Sequence, residues 1–337
     1  MIKKINLISN INTIYTVRYF SNCSSLLNLV LTKKPYSWFK IAFNSITTTT
    51  QKGGNPMKKI NKRLSLIVII FVAMSMLSIG GPFTSNSLAD SHYTTKDLNE
   101  QGIMATLWVQ TSAEFRALCY QAFNLAKMNL DAFLSSYSGS KKVAISVDVD
   151  ETLIDNSAYQ AFLVGKDFGY SSKTWGPWIA SGQATAYPGA HDFLNYAKSK
   201  GVEVFYITNI KMQYYDGASK KLAALGYPNI DKKHLLFRTD TSDKQPRRDI
   251  VEKDYEMALL MGDNLNDFLS VFRKKPVDVR SAEVDKIKNE WGKKFILIPN
   301  PMYGDWEAAV IKGNWGASAA EKDQMRKDHL RRWDYQP

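Results

Sequence analysis

Residues 143–155 read VAISVDVDETLID, an apolar run that stops abruptly in acids. The β-branched, alternating residues 143–147 have the pattern of a buried strand. A core strand that ends at Asp148 places its acids where open α/β sheets bind ligands, beyond the carboxyl ends of the strands. Residues i and i+2 of an extended chain share a face, so Asp148 and Asp150 can converge on one reacting atom. Acidic turns after strands are common, and this segment alone assigns nothing.

A second strand ends the same way. Residues 257–261 (MALLM) run into Gly262, Asp263, Asn264, Leu265, Asn266 and Asp267, with the acids four apart and Gly262 permitting a tight exit. Four carboxylates at neighbouring strand ends would repel one another without a cation. A set of oxygen donors with no His or Cys suits Mg²⁺, which binds through one or two carboxylates plus a substrate phosphate. Between the two motifs, residues 202–207 form a strand ending in Thr208 and Asn209, whose hydroxyl and amide can hydrogen-bond a phosphate oxygen. A short strand at 235–238 precedes Lys244, which opens a helix and can meet a phosphoryl group as a point charge.

This order resembles the haloacid-dehalogenase (HAD) superfamily, and DVDETLIDNSAY with GDNLNDF resembles the bipartite signature of its class C acid phosphatases, a lipoprotein-type 5′-nucleotidase family. Residues 98–127 and the late segment PNPMYGDWE (299–307) fit the same family, so the resemblance covers about 95–315. It departs from the usual pattern where Ser146, Val149 and Ala258 replace bulkier aliphatics, none of them a reacting group. The resemblance implies that Asp148 is the nucleophile and Asp150 the acid and base, the latter's backbone carbonyl also a metal ligand. It implies further that Asp148, Asp150, Asp263 and Asp267 hold Mg²⁺ or another divalent cation, and that Thr208 and Lys244 neutralise the phosphoryl oxygens. The implied fold is a HAD-like, doubly wound (Rossmann-like) parallel sheet flanked by helices, with a small, mainly helical cap from about 95–138 and 156–187.

The pattern of the chain agrees with that fold. Helical stretches at 189–200, 211–225, 244–253, 264–274 and 304–312 alternate with strands beginning near 202, 235, 256 and 295. Thr111 to Glu114 reads as a capping box, opening a helix whose apolar stripe runs Phe115, Leu118, Cys119, Ala122, Ala126, Leu130 and Phe133. The segment 156–187 is too long for a plain loop and rich in aromatics; Trp175 or Trp178, with Tyr303, can stack on a flat leaving group such as a nucleobase. Residues 317–333 read as a charged terminal helix, with Arg326, Lys327, Arg331 and Arg332 on a solvated face or along an edge.

Charge divides the chain. The net charge is +12, yet residues 1–89 hold 11 basic and no acidic residues, leaving 33 basic and 32 acidic in 90–337. A nucleic-acid partner is therefore not expected. Residues 57–63 are a basic n-region, 64–79 an apolar run and 87–89 (SLA) a small-x-small cleavage site, together a secretory signal peptide over 57–89. Sixteen apolar residues fall short of a membrane span, and no Cys follows to carry a lipid. The expected product is a secreted or envelope-associated bacterial phosphatase without stable membrane insertion. Lys52-Gly53-Gly54 can encode a ribosome-binding sequence just before Met57, so residues 1–56 are expected to be untranslated leader. Cys119 is alone in 90–337 and cannot form an internal disulfide.

The leading expectation is thus a Mg²⁺-dependent acid phosphatase acting on small phosphomonoesters such as nucleoside monophosphates through an aspartyl-phosphate. The sequence leaves open a homodimer, transfer to an alcohol acceptor in place of water, and an extracellular nucleotide- or haem-binding protein with incidental catalysis. Both a nucleophile and an acid argue against a pure binder.

Overall fold

The computed structural model describes residues 2–10, 13–20, 30–34 and 93–336. The segment 57–89, expected to be a signal peptide, lies outside the described residues, as does much of 1–56. Three antiparallel strands, β1 (Ile2–Asn10), β2 (Thr13–Phe20) and β3 (Val30–Lys34), form a sheet within a separate unit. Everything that positions the site belongs to the second unit.

There the helices are α1 (Thr95–Glu100), α2 (Ile103–Thr111), α3 (Ala113–Ser136), α4 (Ser157–Leu163), α5 (Ser172–Ser181), α6 (Ala190–Ser199), α7 (Tyr215–Ala224), α8 (Gln245–Asp254), α9 (Val277–Lys286), α10 (Asp305–Val310) and α11 (Ala319–Asp328). The strands are β4 (Lys142–Val147), β5 (Ile154–Asp155), β6 (Thr185–Ala186), β7 (Glu203–Lys211), β8 (Leu235–Arg238), β9 (Tyr255–Gly262) and β10 (Phe295–Leu297). Five of them form one parallel sheet in the order β10-β9-β4-β7-β8. The central strand β4 is buried from Val143 onward. Val143, Ile145 and Val147 pack on one face with Val204 and Tyr206 of β7, while Ala144 packs on the other with Phe205 and Ile207. A strand covered on both faces has no polar side, which is why β4 reads as continuous apolar sequence. Helices on both faces complete the doubly wound α/β fold. Among the described residues no helix is long and apolar enough to cross a membrane.

Several local expectations are corrected. The cap of α3 is Ser112, whose hydroxyl accepts from Phe115 N at 3.0 Å, whereas Thr111 ends the preceding helix and donates to Leu107 O. This long helix packs on α6, β9 and β10, as a layer of the sheet domain, whereas α2 packs on α4. Within 156–187, Tyr159, Leu163 and Trp175 form a small core of their own. The expected helix at 264–274 is two single 3₁₀ turns, Leu265–Asp267, opened by Asp267 accepting from Asn264 N at 2.9 Å, and Ser270–Phe272, separated by extended backbone at Leu269. The following α9 escaped the sequence pattern because its only buried residue is Arg280. The terminal helix stops at Asp328 and packs on α1. Arg326 pairs with Glu307 and Lys327 with Asp323 at 2.6 Å, so half of the basic cluster is engaged in ion pairs.

Candidate active site

Three strand ends meet at one edge of the sheet. Asp148 follows β4, Asp263 follows β9, and Thr208 and Asn209 sit in the last turns of β7. The β7–β8 ladder is regular to Ile207↔Leu236 and resumes only at Lys211↔Arg238, so residues 208–210 bulge out of it. A bulge re-aims side chains that would otherwise face the layers. A second bulge lies between β4 and β9, where Ala258 is skipped by the pairing.

The ammonium of Lys244, buried at the start of α8, binds Asp148 Oδ1 and lies 2.7 Å from Asp267 Oδ1. Asp148 also accepts from Thr152 Oγ1 at 3.3 Å. Asp150 is held by Asn156 Nδ2 at 3.0 Å, and Asp263 by Asn300 Nδ2 at 2.8 Å. The hydroxyl oxygen of Thr208 accepts from Ile210 N at 3.1 Å, which leaves its proton to donate outward. Gly262 has a steric reason: a Cβ there would lie 2.4 Å from Asp267 Cβ and Oδ2, so only glycine lets that carboxylate reach the site.

The residues that support these groups were not legible beforehand. The first turns of α8 carry Arg247 and Arg248 beside Lys244. Arg247 donates to Thr208 O, to Leu236 O at 3.1 Å and to Asn209 Oδ1 at 2.8 Å. Fully buried Arg248 donates to Asp267 O at 2.6 Å. One helix start therefore fixes the phosphate-facing residues of β7 and the second acidic loop together. Glu151, completely buried with φ +55°, accepts from the hydroxyl of Tyr303 and from Asn156 N at 3.1 Å. Residues other than glycine rarely adopt positive φ, and the carboxylate of Glu151 shares the Asn156 amide with Asp150, accepting from its Nδ2 at 3.4 Å. Nothing in local sequence joins Glu151 to Tyr303. Their contact depends on the tertiary fold.

Electrostatics distinguish the acids. Burial, and then the nearby Asp148 carboxylate, push Asp150 up to about 7. Burial raises Asp148 to about 6 against the pull of Lys244. Burial, Asp267 and Asp148 hold Asp263 well above the usual carboxylate range. Burial alone would lower the Lys244 ammonium, but Asp148 and Asp267 outweigh it and raise it. One lysine does not balance these acids. Asp148, Asp263 and Asp267 each offer an oxygen, all within 4.8 Å of one another. Hard oxygen donors, excess negative charge and close convergence fit a divalent cation. Asp150 is not in that trio.

A cleft of about 450 Å³ opens above the acids, lined in part by Asp150, Asn209, Tyr170, Trp175, Asn264 and Tyr303. The structure places Trp175 and Tyr303 on its wall. Trp178 is elsewhere: its indole donates to Asn156 Oδ1 at 2.8 Å, steadying the amide that holds Asp150, and it does not line the cleft.

The chain as a whole is similar to known proteins. Residues 83–306 match the model of HAD superfamily subfamily IIIB, the acid phosphatases. A structure of the class C acid phosphatase from Bacillus anthracis is 43% identical, covering 70% of this chain and 99% of that one with a TM-score of 0.68. A tungstate-bound structure of a class C acid phosphatase from the same organism is 42% identical, with the same coverage and a TM-score of 0.67. With its parallel sheet, strand-end acids and matched length, this chain belongs to the class C acid phosphatases of the HAD superfamily and is a phosphomonoesterase.

Proposed function

We propose that the protein is an exported, Mg²⁺-dependent acid phosphatase that hydrolyses small phosphomonoesters, nucleoside monophosphates among them, through an aspartyl-phosphate on Asp148. The observation that carries this reading is the convergence of Asp148, Lys244 and Asp267 with Asp263 at the sheet edge, with Asp150 facing the cleft. The tungstate in the Bacillus anthracis relative is a tetrahedral oxyanion like phosphate, which supports a site of this shape.

An Asp148 oxygen attacks phosphorus in line with the ester oxygen; the P–O bond to the leaving group breaks, and Asp150 gives that oxygen its proton. Asp150 then takes a proton from the water that attacks the aspartyl-phosphate, releasing phosphate and restoring Asp148. The raised Asp150, protonated below about 7, suits the first step in acid. Thr208 donates its hydroxyl proton and Lys244 its charge to phosphoryl oxygens. Phosphoryl transfer depends on this kind of alignment and charge compensation. Asp148, Asp263 and Asp267 with the Asp150 carbonyl would hold Mg²⁺, which supplies the positive charge that lets an anionic carboxylate approach an anionic ester. Asn209, whose amide oxygen accepts from Arg247 and whose amide nitrogen donates to Ser242 O at 3.1 Å, would give its remaining amide proton to the ester, and Trp175 and Tyr303 offer flat surfaces to a nucleobase.

Export rests on the basic, apolar and small-x-small pattern at 57–89, with translation beginning at Met57. A native amino-terminal peptide beginning at Asp90 supports it; a peptide from residues 1–56 of the native protein refutes the start. For the activity, phosphate release from p-nitrophenyl phosphate and adenosine 5′-monophosphate is measured with Mg²⁺ and with chelator. Metal-dependent release supports the reading. Turnover indifferent to chelation contradicts the metal assignment, and turnover of the aryl ester alone contradicts the nucleotide assignment.

A further inference from the structure

The cleft carries a second positive feature that the reaction at Asp148 does not use. Lys211 ends β7 and Arg238 ends β8, and the two are direct register partners across the parallel ladder. Both line the cleft that Asp150 also lines. Like charges directly opposed on neighbouring strands repel. Proteins usually offset such a pair with an acid, but among the described residues neither makes an ion pair. Among the described residues the Lys211 ammonium reaches only the hydroxyl of Ser172, at 3.4 Å, and the Arg238 guanidinium meets no hydrogen-bond acceptor. The neighbouring Asp240 carboxylate is occupied by Thr239 Oγ1 at 3.0 Å and Thr241 N at 2.7 Å. Asp305 and Glu307 of α10 also line the cleft, and Glu307 is paired with Arg326. Among the described residues, no acid therefore offsets the two cations that β7 and β8 bring to the cleft.

We propose that Lys211 and Arg238 form a subsite for a second anionic group on the leaving-group side of the substrate, so that the enzyme favours esters that keep a phosphate or carboxylate after losing the first phosphate. This rests on the assignment of Asp148 and Asp150 as the reacting groups. A guanidinium and an ammonium side by side present donors to two oxygens of one anion, and charge-assisted hydrogen bonds are the stronger kind. A second anion is drawn to the strand ends, where the two cations stand side by side. The subsite discriminates by charge and is independent of the aromatic surfaces.

The test compares adenosine 3′,5′-bisphosphate with adenosine 5′-monophosphate, and 4-carboxyphenyl phosphate with its near-isosteric amide, 4-carbamoylphenyl phosphate. Native enzyme and the double variant K211Q/R238Q are assayed at low and high salt, with p-nitrophenyl phosphate as the ester lacking a second anion. The native enzyme is expected to favour the member of each pair that carries a second anionic group in kcat/KM by about tenfold at low salt, less in high salt. The double variant is expected to lose that preference, mostly through KM, while p-nitrophenyl phosphate turnover changes less than about twofold. Equal rates within both pairs, or a preference that survives the double substitution, overturns the subsite. Failure of the native enzyme on every ester refutes the reaction-centre assignment instead. Coincident thermal unfolding of variant and native protein separates lost recognition from lost folding.

Discussion

The floor of the site and the cap above it use different physics. In the floor, short polar side chains leave strand ends whose positions the parallel ladder fixes, and each is gripped by a partner: Lys244 for Asp148 and Asp267, Asn156 for Asp150, Asn300 for Asp263. In the cap, the aromatics mostly grip one another. Trp175 meets Tyr159 edge-on at 4.9 Å and Tyr170 at 5.7 Å, and Tyr159 OH shares a hydrogen bond with Thr174 Oγ1 at 2.8 Å. A buried carboxylate in an apolar sheet costs free energy and so marks a function. A buried aromatic in a small cap lowers free energy by packing and marks nothing by itself. Floor substitutions should therefore act on kcat, and cap substitutions on KM and stability.

The largest effect expected is from Asp148→Asn, which removes the nucleophile with little change of shape. It should lower kcat by at least about 10³-fold at unchanged fold, measured by steady-state phosphate release. Gly262→Ala comes next. Its Cβ would displace Asp267, and a shift of an ångström in a positioned group costs about 10²-fold. Retained activity would show that Asp267 is dispensable, and would erase the asymmetry between floor and cap. Trp175→Ala should destabilise the protein by about 3 kcal/mol in denaturant unfolding while raising KM more than it lowers kcat. Lys286→Gln, breaking an exposed pair with Glu283 at 2.6 Å on α9, outside the cleft, should cost no more than about 1 kcal/mol and leave kinetics unaltered.

A pH experiment sharpens the contrast further. Because Asp150 is raised to about 7, its proton is present below that pH and lost above it. Turnover of esters with poor leaving groups should fall as pH rises through about 7, and p-nitrophenyl phosphate, whose leaving group needs no proton, should fall less. The same shifts affect the metal-free protein's stability. A carboxyl whose folded pKa is raised binds its proton more tightly when folded. Its stabilising contribution is complete below the unfolded value of about 4 and is lost as pH rises toward about 7. Chelated protein should melt lower at pH 7.5 than at 5.5, and Mg²⁺ should narrow that difference.

These contrasts also explain what the sequence disclosed. Strand-end acids, Thr208 and Lys244 stand out because polar residues interrupt apolar runs at a spacing set by the sheet, and the parallel fold follows from the same alternation. Arg247, Arg248 and Glu151 did not stand out: on paper they are ordinary charged residues, and only tertiary packing turns them inward. The expectation for Trp178 diverged from its place because helical spacing in α5 does not say which of two tryptophans faces the cleft. In 264–274, Phe268 and Phe272 have helical spacing, yet the backbone is extended at Leu269 (φ −141°, ψ 140°), so the two short turns do not join into one helix.

The most direct test of the central claim is to trap the intermediate. The enzyme is mixed with excess p-nitrophenyl phosphate and Mg²⁺, quenched in acid within one turnover, and reduced with borohydride, which converts an aspartyl-phosphate to homoserine. Peptide mass spectrometry should find homoserine at position 148 alone, and only when substrate and metal are both present. Homoserine at position 150, or its absence during active turnover, would contradict the assignment of Asp148 as the nucleophile.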